Sequence, residues 1–234
     1  MSAASSMLEF EAVALRTPSA QVEDLTDVSF RLAPGGVALI ELEDGHEHVP
    51  LADAAQGLLA PESGEVRFQG TAWAAMGPHD AASARGRTRR VFDGNGWVSN
   101  LDVIENVCLG EYHHTRRHFH EIRAEAEAHA RAFGLSGVPD GRPSHVPTAV
   151  LRRMEWVRAF IGQPDLIILE RPLVGVPKDH LHFLAEAVSA ALAKGTAVLW
   201  TTAEGRDWDT LALAGLTRYQ MQHAKLVPLT GDAT

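Results

Sequence analysis

The sequence predicts an α/β chain built on a mostly parallel sheet, and three observations predict it. Asp165-Leu166-Ile167-Ile168-Leu169 and Thr196 to Thr201 are short, branched apolar runs of the kind that form buried strands. A helical stretch over 178–193 separates them, and a strand-helix-strand unit of this kind favours right-handed parallel pairing. Near the start, apolar runs alternate with turn signals and read as further strands.

In chain order, strands are expected over Leu8–Leu15, Val22–Leu32 and Val37–Leu42, the last after the Pro34-Gly35-Gly36 turn. Pro50 to Leu59 is helix-compatible. A turn at Pro61, Ser63 and Gly64 then leads to the strand Glu65-Val66-Arg67-Phe68, closed at Gly70. Residues 76–90 are small, polar and basic and carry no apolar period, and they end on Val91-Phe92. Val103 to Leu109 has apolar residues at helical spacing. Residues 116–133 give the clearest amphipathic helix, with Phe119, Ile122, Ala126, Ala130 and Phe133 on one stripe and Gly134 as its stop. After a Gly/Pro-rich loop, a helix from Ala149 to Ile161 places Leu151, Met154, Val157 and Phe160 on a core stripe. Arg152, Arg153 and Arg158 read as its basic face. No internal repeat or low-complexity tract is evident.

Composition narrows the function. The chain has 234 residues, 45% hydrophobic and 22% charged, which suits one large domain or two small ones. Its apolar runs fall well short of the ~20 residues a membrane span needs. A net charge of −9 argues against nucleic acid and against direct attraction to lipid headgroups. Met1 to Met7 lacks the basic residues and long apolar core of a secretory leader, and Cys108, the single cysteine, cannot form an internal disulfide. The expected compartment is the cytosol, and Cys108 is expected to be a small buried hydrophobe.

The order of landmarks resembles the nucleotide-binding subunits of ATP-binding cassette (ABC) transporters. The resemblance rests on Leu25-Thr26-Asp27-Val28-Ser29-Phe30 before Pro34-Gly35, and on Gly57-Leu58-Leu59-Ala60-Pro61-Glu62-Ser63-Gly64-Glu65-Val66. It continues with Leu101-Asp102-Val103-Ile104-Glu105-Asn106-Val107 and with Arg158-Ala159 before Gln163-Pro164-Asp165-Leu166. Pro172-Leu173-Val174-Gly175 is most similar to cassettes of bacterial lipid transport that work with MCE-type proteins. The implied fold is a P-loop NTPase-like cassette: an antiparallel β region and parallel core from residues 1–92 and 162–234, with a helical subdomain at 93–161 inserted between.

The same register lands on changed residues wherever that family does chemistry. A phosphate loop reads GxxxxGK(S/T), because glycines let backbone N–H groups face the phosphates, lysine supplies a cation and the hydroxyl binds magnesium. The matching positions run Leu42, Glu43, Asp44, Gly45, His46, Glu47, His48, Val49, so lysine has become His48 and the hydroxyl Val49. Glu41, Glu43, Asp44 and Glu47 put four carboxylates where a polyanion would sit. One such charge about 6 Å from a phosphate costs on the order of 2–3 kcal/mol at an effective dielectric near 20.

The Asp-Glu pair that ends the family's catalytic strand is Glu170-Arg171 here, and a guanidinium cannot accept a proton from water. The signature segment is replaced by Val146-Pro147-Thr148-Ala149-Val150, leaving Thr148 as its one hydroxyl. The switch glutamine falls on Asp93, the switch histidine on Ala203, the dimer-loop aspartate on Pro177 and the adenine-stacking aromatic near Thr17.

The resemblance therefore implies a cassette kept for shape, a pseudo-ATPase that scaffolds or regulates a membrane transport complex, with lipid as the cargo class. No catalytic residue, metal or cofactor is expected, and Glu170, Arg171 and Ala203 count as degenerate catalytic positions. Gly45, His46, His48, Val49, Asp93 and Thr148 are degenerate nucleotide positions. The implied partners are a membrane permease subunit and a second cassette, in a homo- or heterodimer, with no nucleic acid and no direct membrane insertion. The implied location is the cytoplasmic side of the inner membrane, reached through that complex. In the family, the cleft beside the switch glutamine receives a short helix of the membrane subunit, which makes Asp93, Trp97, Val98 and Leu101 the candidate partner-binding residues.

Two other readings stay open: a divergent cassette that still binds or slowly hydrolyses ATP with magnesium, and a free-standing interaction or metal-sensing protein on the same fold. His113, His114, His118 and His120 cluster near the 116–133 helix, with 114 and 118 at i, i+4 spacing. Their simplest reading is exposed histidines at a helix entrance. Arg171 is expected to pair with Glu170 or with a carboxylate of 41–47.

Overall fold

In the computed structural model, residues 6–17, 23–43, 49–94, 96–202 and 213–229 are described. The elements are β1 (Leu8–Leu15), β2 (Leu25–Leu32), β3 (Val37–Glu41), α1 (Leu51–Ala55), β4 (Ser63–Phe68), β5 (Thr71–Ala72), α2 (Pro78–Gly86) and β6 (Thr88–Val91). Then follow α3 (Val103–His114), α4 (Phe119–Ala132), α5 (Thr148–Phe160), β7 (Leu166–Glu170), α6 (Leu181–Leu192), β8 (Ala197–Thr202), β9 (Leu216–Gln222) and β10 (Lys225–Leu229).

The strands form two sheets. A four-stranded antiparallel sheet has the order β2-β1-β4-β5, and a six-stranded sheet has the order β10-β9-β3-β8-β7-β6. The second is parallel throughout except for the antiparallel β10 edge. Alternation along its central strands makes three layers. Val37, Leu39, Ile167, Leu169, Val198 and Trp200 face the helices, whereas Ala38, Ile40, Leu166, Ile168, Ala197 and Leu199 face the antiparallel sheet and α1. Both faces are covered, which is why β3, β7 and β8 read as unbroken apolar runs.

Several boundaries differ from the expectation, each for a local reason. α1 stops at Ala55, because Gly57 takes φ +61 with its α-carbon against the Trp73 ring, where a side chain would not fit. α2 begins with Pro78 at its first turn after Gly77 and buries only Ala81 and Ala84, so it carries no apolar period. α3 continues to His114, and α4 starts after His118, whose backbone N–H is capped by Glu121. His114 and His118 therefore flank a turn and do not share one helix face. The 178–193 helix divides into a 3₁₀ turn over Lys178–His180 and α6. β9 and β10 were not anticipated.

The arginines of α5 are not a basic face. Arg152 is buried, Arg158 is largely buried, and Arg153 binds the carbonyls of Phe133 and Gly134 at the end of α4. On the expected stripe, Met154, Val157 and Phe160 are buried and Leu151 half-buried. On the α4 stripe, Phe119 alone is exposed.

α5 is the element that carries the site. Trp156, fully buried, meets Phe133 edge-on at 5.5 Å and donates its indole N–H to the Pro172 carbonyl at 3.0 Å, fixing the chain just after β7. Trp156→Ala should lower unfolding stability by about 3–5 kcal/mol in urea titration.

The turn after α5 is tied to α4 through Glu125, which accepts the Gly162 N–H at 3.0 Å and Arg117 at 2.7 Å, with His129 at 3.7 Å. His129, Arg117 and that N–H outweigh burial and hold its carboxyl down from 4.5 to about 2. A carboxyl depressed on folding contributes stability that is whole above its unfolded value and is lost as pH falls through the folded one. The stability advantage of wild type over Glu125→Gln should thus be present at pH 6 and shrink between pH 4.5 and pH 2 in chemical denaturation.

Candidate functional site

The C-terminal ends of β6 and β7 lie side by side, and their side chains form two linked ionic groups. In the first, Glu170 is buried at the end of β7 and takes Arg90 of β6, whose Nε lies 2.6 Å from Oε2. Arg90 also reaches Asp53 of α1 at 2.5 Å and Gln56 at 3.3 Å, with its guanidinium 4.7 Å over the Phe92 ring. Burial alone would lower the Arg90 pKa, but Glu170 and Asp53 together raise it. The same Glu170 oxygen accepts the Asp93 backbone N–H at 3.3 Å.

In the second group, Arg171 takes φ +41, a left-handed conformation that costs a side-chain-bearing residue of order 1 kcal/mol or more. Its N–H donates to Thr201 O at 3.0 Å, and its Nε lies 3.1 Å from Asp93 Oδ1. The expected partner was Glu170 or a carboxylate of 41–47. Arg90 already occupies Glu170, and the turn at Arg171 aims its side chain at Asp93 instead.

Both groups hang on Arg152. Its Nη1 donates to Phe92 O and to Glu155, each at 2.6 Å, and its Nη2 donates to Glu170 O at 3.2 Å and Arg171 O at 2.8 Å. Burial pushes the Glu155 carboxyl up despite Arg152.

Of the four carboxylates expected around the phosphate-loop positions, Glu41 pairs with Arg218 at 2.8 Å and Glu43 accepts the His223 N–H at 3.0 Å. Both are thus engaged with the β9–β10 hairpin. Val49 is buried in the apolar cluster between the sheets, so its side chain belongs to the core. Gly45, His46, His48 and Ala203 lie outside the described residues, as do Asp44 and Glu47.

A cavity of about 580 Å³ brings Asp93, Trp97, Thr148 and Arg171 together, walled also by Leu151, Arg152, Glu155 and Val174. Val98, Leu101, Glu170 and Val49 are not among its walls. Trp97 is half-buried, 5.2 Å from the guanidinium of Arg158, which donates to Gly96 O at 2.6 Å. Burial lowers the Arg158 pKa. Val98 is 43% exposed and Leu101 half-buried; Asn106 binds the Val98 N–H and C=O and the Leu101 C=O, holding both in place. Sequence reasoning missed Arg90, Asp53, Arg152, Glu155 and Asn106. The one signal available was local: Arg152 and Glu155 stand at i, i+3 on a helix.

Among the described residues, no group of three or more His, Cys, Asp and Glu is placed to hold a metal ion. Cys108 is fully buried, and burial pushes its thiol up to about 11. No described helix is long and apolar enough to cross a membrane.

Comparison with known proteins places this geometry. The chain superposes on the dimeric ATP-binding cassette MJ0796 in a post-hydrolysis state with ADP and Pi, with a TM-score of 0.81, 16% identity, and coverage of 94% of this chain and 96% of that one. It superposes equally on an ATP-binding subunit of an ABC transporter, with a TM-score of 0.78, 18% identity, and coverage of 94% and 88%. The fold is that of an ATP-binding cassette.

No protein-family profile matches the chain. Its curated relatives are ATP-binding proteins of transport systems. They include the intermembrane phospholipid transport protein MlaF of Escherichia coli, 25% identical over 163 residues that make up 70% of this chain and 61% of that protein. Another is the phosphonates import protein PhnC 2 of Rhodopseudomonas palustris, 24% identical over 169 residues, 69% of this chain and 62% of that one. The cassette-like chain thus spans about 61% of the length of the curated relatives it matches. In this α/β architecture, ligands are held beyond the carboxyl ends of the strands, which is where Glu170, Arg171 and Asp93 stand.

The Arg90 bridge should be strongly coupled. Arg90→Met, which strands Glu170 as a buried charge, should cost about 3–5 kcal/mol in urea unfolding, and Arg90→Met with Glu170→Met should recover much of it.

Proposed function

We propose that this chain is a non-catalytic ABC cassette subunit that scaffolds or regulates a membrane transport complex. The observation that carries the reading is Arg171 bonded to Asp93, at the positions where the family keeps its general base and its switch glutamine. A base must accept a proton from water, and a guanidinium has no acceptor lone pair to offer. Glu170, the remaining acid, has its inward oxygen committed to Arg90 and to the Asp93 N–H, so a metal would have to displace a buried cation to reach it. Among the described residues, the donor set does not fit magnesium-bound ATP.

The partners follow from the relatives and from the fold. They are a second cassette and a membrane permease of a lipid transport system, with this chain peripheral to the cytoplasmic face of the inner membrane. The helical segment 93–161 is the proposed docking subdomain on a core made by 1–92 and 162–234. Val98 offers free apolar area there, and Leu101 and Trp97 part of their surfaces. Small clusters of this type carry most of the energy of an interface.

Calorimetric titration of the purified protein with ATP and magnesium tests the proposal. The expected result is no saturable heat at millimolar nucleotide, together with co-purification with a permease that Val98→Asp abolishes. Magnesium-dependent binding tighter than about 0.1 mM, roughly −5.5 kcal/mol, would overturn it.

A further inference from the structure

The cavity beside Asp93 and Arg171 has more hydrogen-bond donors than the chain uses. Arg171 spends only Nε, on Asp93; among the described residues neither terminal nitrogen has a partner. Arg152, 7% exposed and a wall of the same cavity, has its Nε buried with no partner among the described residues, although its terminal nitrogens are fully engaged. Ser99, Ser144 and Thr148 add hydroxyls to the lining. The acids on the walls each face an arginine, Asp93 through Oδ1 on Arg171 Nε and Glu155 through Oε2 on Arg152 Nη1. A buried donor left unmade costs about 1–3 kcal/mol, so the surplus favours a guest that brings acceptors. The remaining walls, Trp97, Leu151, Pro143 and Val174, are apolar, and about 580 Å³ suits a small organic molecule.

We propose that this cavity binds a small organic anion, a carboxylate or phosphate on a flat apolar body, with its acid group on Arg171 and Arg152 and its body against Trp97. The proposal rests on the non-catalytic reading of the same site, and it gives that subunit a ligand input. An anion on the Arg171 terminal nitrogens sits beside Asp93, which holds Nε of the same guanidinium. The guest would thereby lie next to Trp97, close in sequence to Val98 and Leu101, the apolar residues offered to the membrane partner.

The test is calorimetric titration of the full chain with indole-3-carboxylate and with phenyl phosphate, beside the neutral indole-3-carboxamide. The expected result is saturable binding of one anion tighter than about 1 mM, with the carboxamide at least ~10-fold weaker. Which anion wins separates a carboxylate source from a phosphate source. Arg171→Gln should weaken binding at least ~10-fold, and Thr148→Val, a change at an exposed position that leaves the fold intact, should weaken it by a smaller factor of roughly 3. No saturation by either anion at about 10 mM overturns the proposal, as does saturation that both variants leave unchanged. A parallel titration with magnesium and ATP reads the non-catalytic assignment separately. Nucleotide binding that indole-3-carboxylate does not displace overturns that assignment alone, and nucleotide binding that it does displace overturns both.

Discussion

One buried guanidinium holds the site in register. Arg152 projects from α5 into the space beyond the central sheet and gathers the carbonyls of Phe92, Glu170 and Arg171, which stand at the carboxyl ends of β6 and β7. Taking a cation out of water costs several kcal/mol, and Glu155 one helical turn away offsets that cost through a 2.6 Å contact. The carbonyls matter as much. They are orphan acceptors at strand ends that would otherwise need water, so one side chain satisfies three groups that the sheet leaves open. Because α5 also buries Trp156 against Phe133 and bonds Pro172, the helix and the strand ends move as one body.

That anchoring explains why Arg171 keeps a left-handed backbone. Its N–H is fixed on Thr201 of β8 and its carbonyl on Arg152, so the residue is over-determined on both sides and the strain is retained. The consequence is directional: the turn sends the Arg171 side chain across to Asp93 and leaves Glu170 to Arg90. Two cations thereby serve three carboxylates, Asp53, Glu170 and Asp93, each within hydrogen-bonding distance of an arginine. Each of these carboxylates is thus paired from inside the chain.

Much of the scaffold was legible. β3, β7 and β8 are buried on both faces and therefore read as short branched apolar runs, and the α4 stripe is spelled out at helical spacing from Ile122 to Phe133. α2 was invisible because two alanines are all that it buries, and β9 because it buries little beyond Tyr219 and Met221 between polar neighbours. The site was legible only in part. That Arg171 follows Glu170 is a local fact, but its partner Asp93 is 78 residues away, and Arg90 stands 80 residues from Glu170. Separations of that size are set by sheet order, which no single segment encodes. The arginines of α5 were misread for a related reason: helical spacing says which residues share a face, but not whether that face looks at water or at the ends of a sheet.

The interlocking of these charges bears on how such a site changes. Replacing Arg171 alone by glutamate would add a carboxylate to Asp53, Glu170 and Asp93 while removing one of the two arginines that pair with them. Like charges a few ångströms apart in a poorly solvated site cannot all stay ionised, so the new acid would take up a proton and serve poorly as a base. Asp93 would lose its Arg171 contact in the same step. Neutralising Arg90 instead would strand Glu170. Each single replacement therefore costs folding stability, and the residues are coupled through shared partners, so their effects do not add. A scaffold with this network shares its fold with ATP-binding cassettes but pairs the acids at its strand ends with its own arginines, and a fold by itself does not establish an activity.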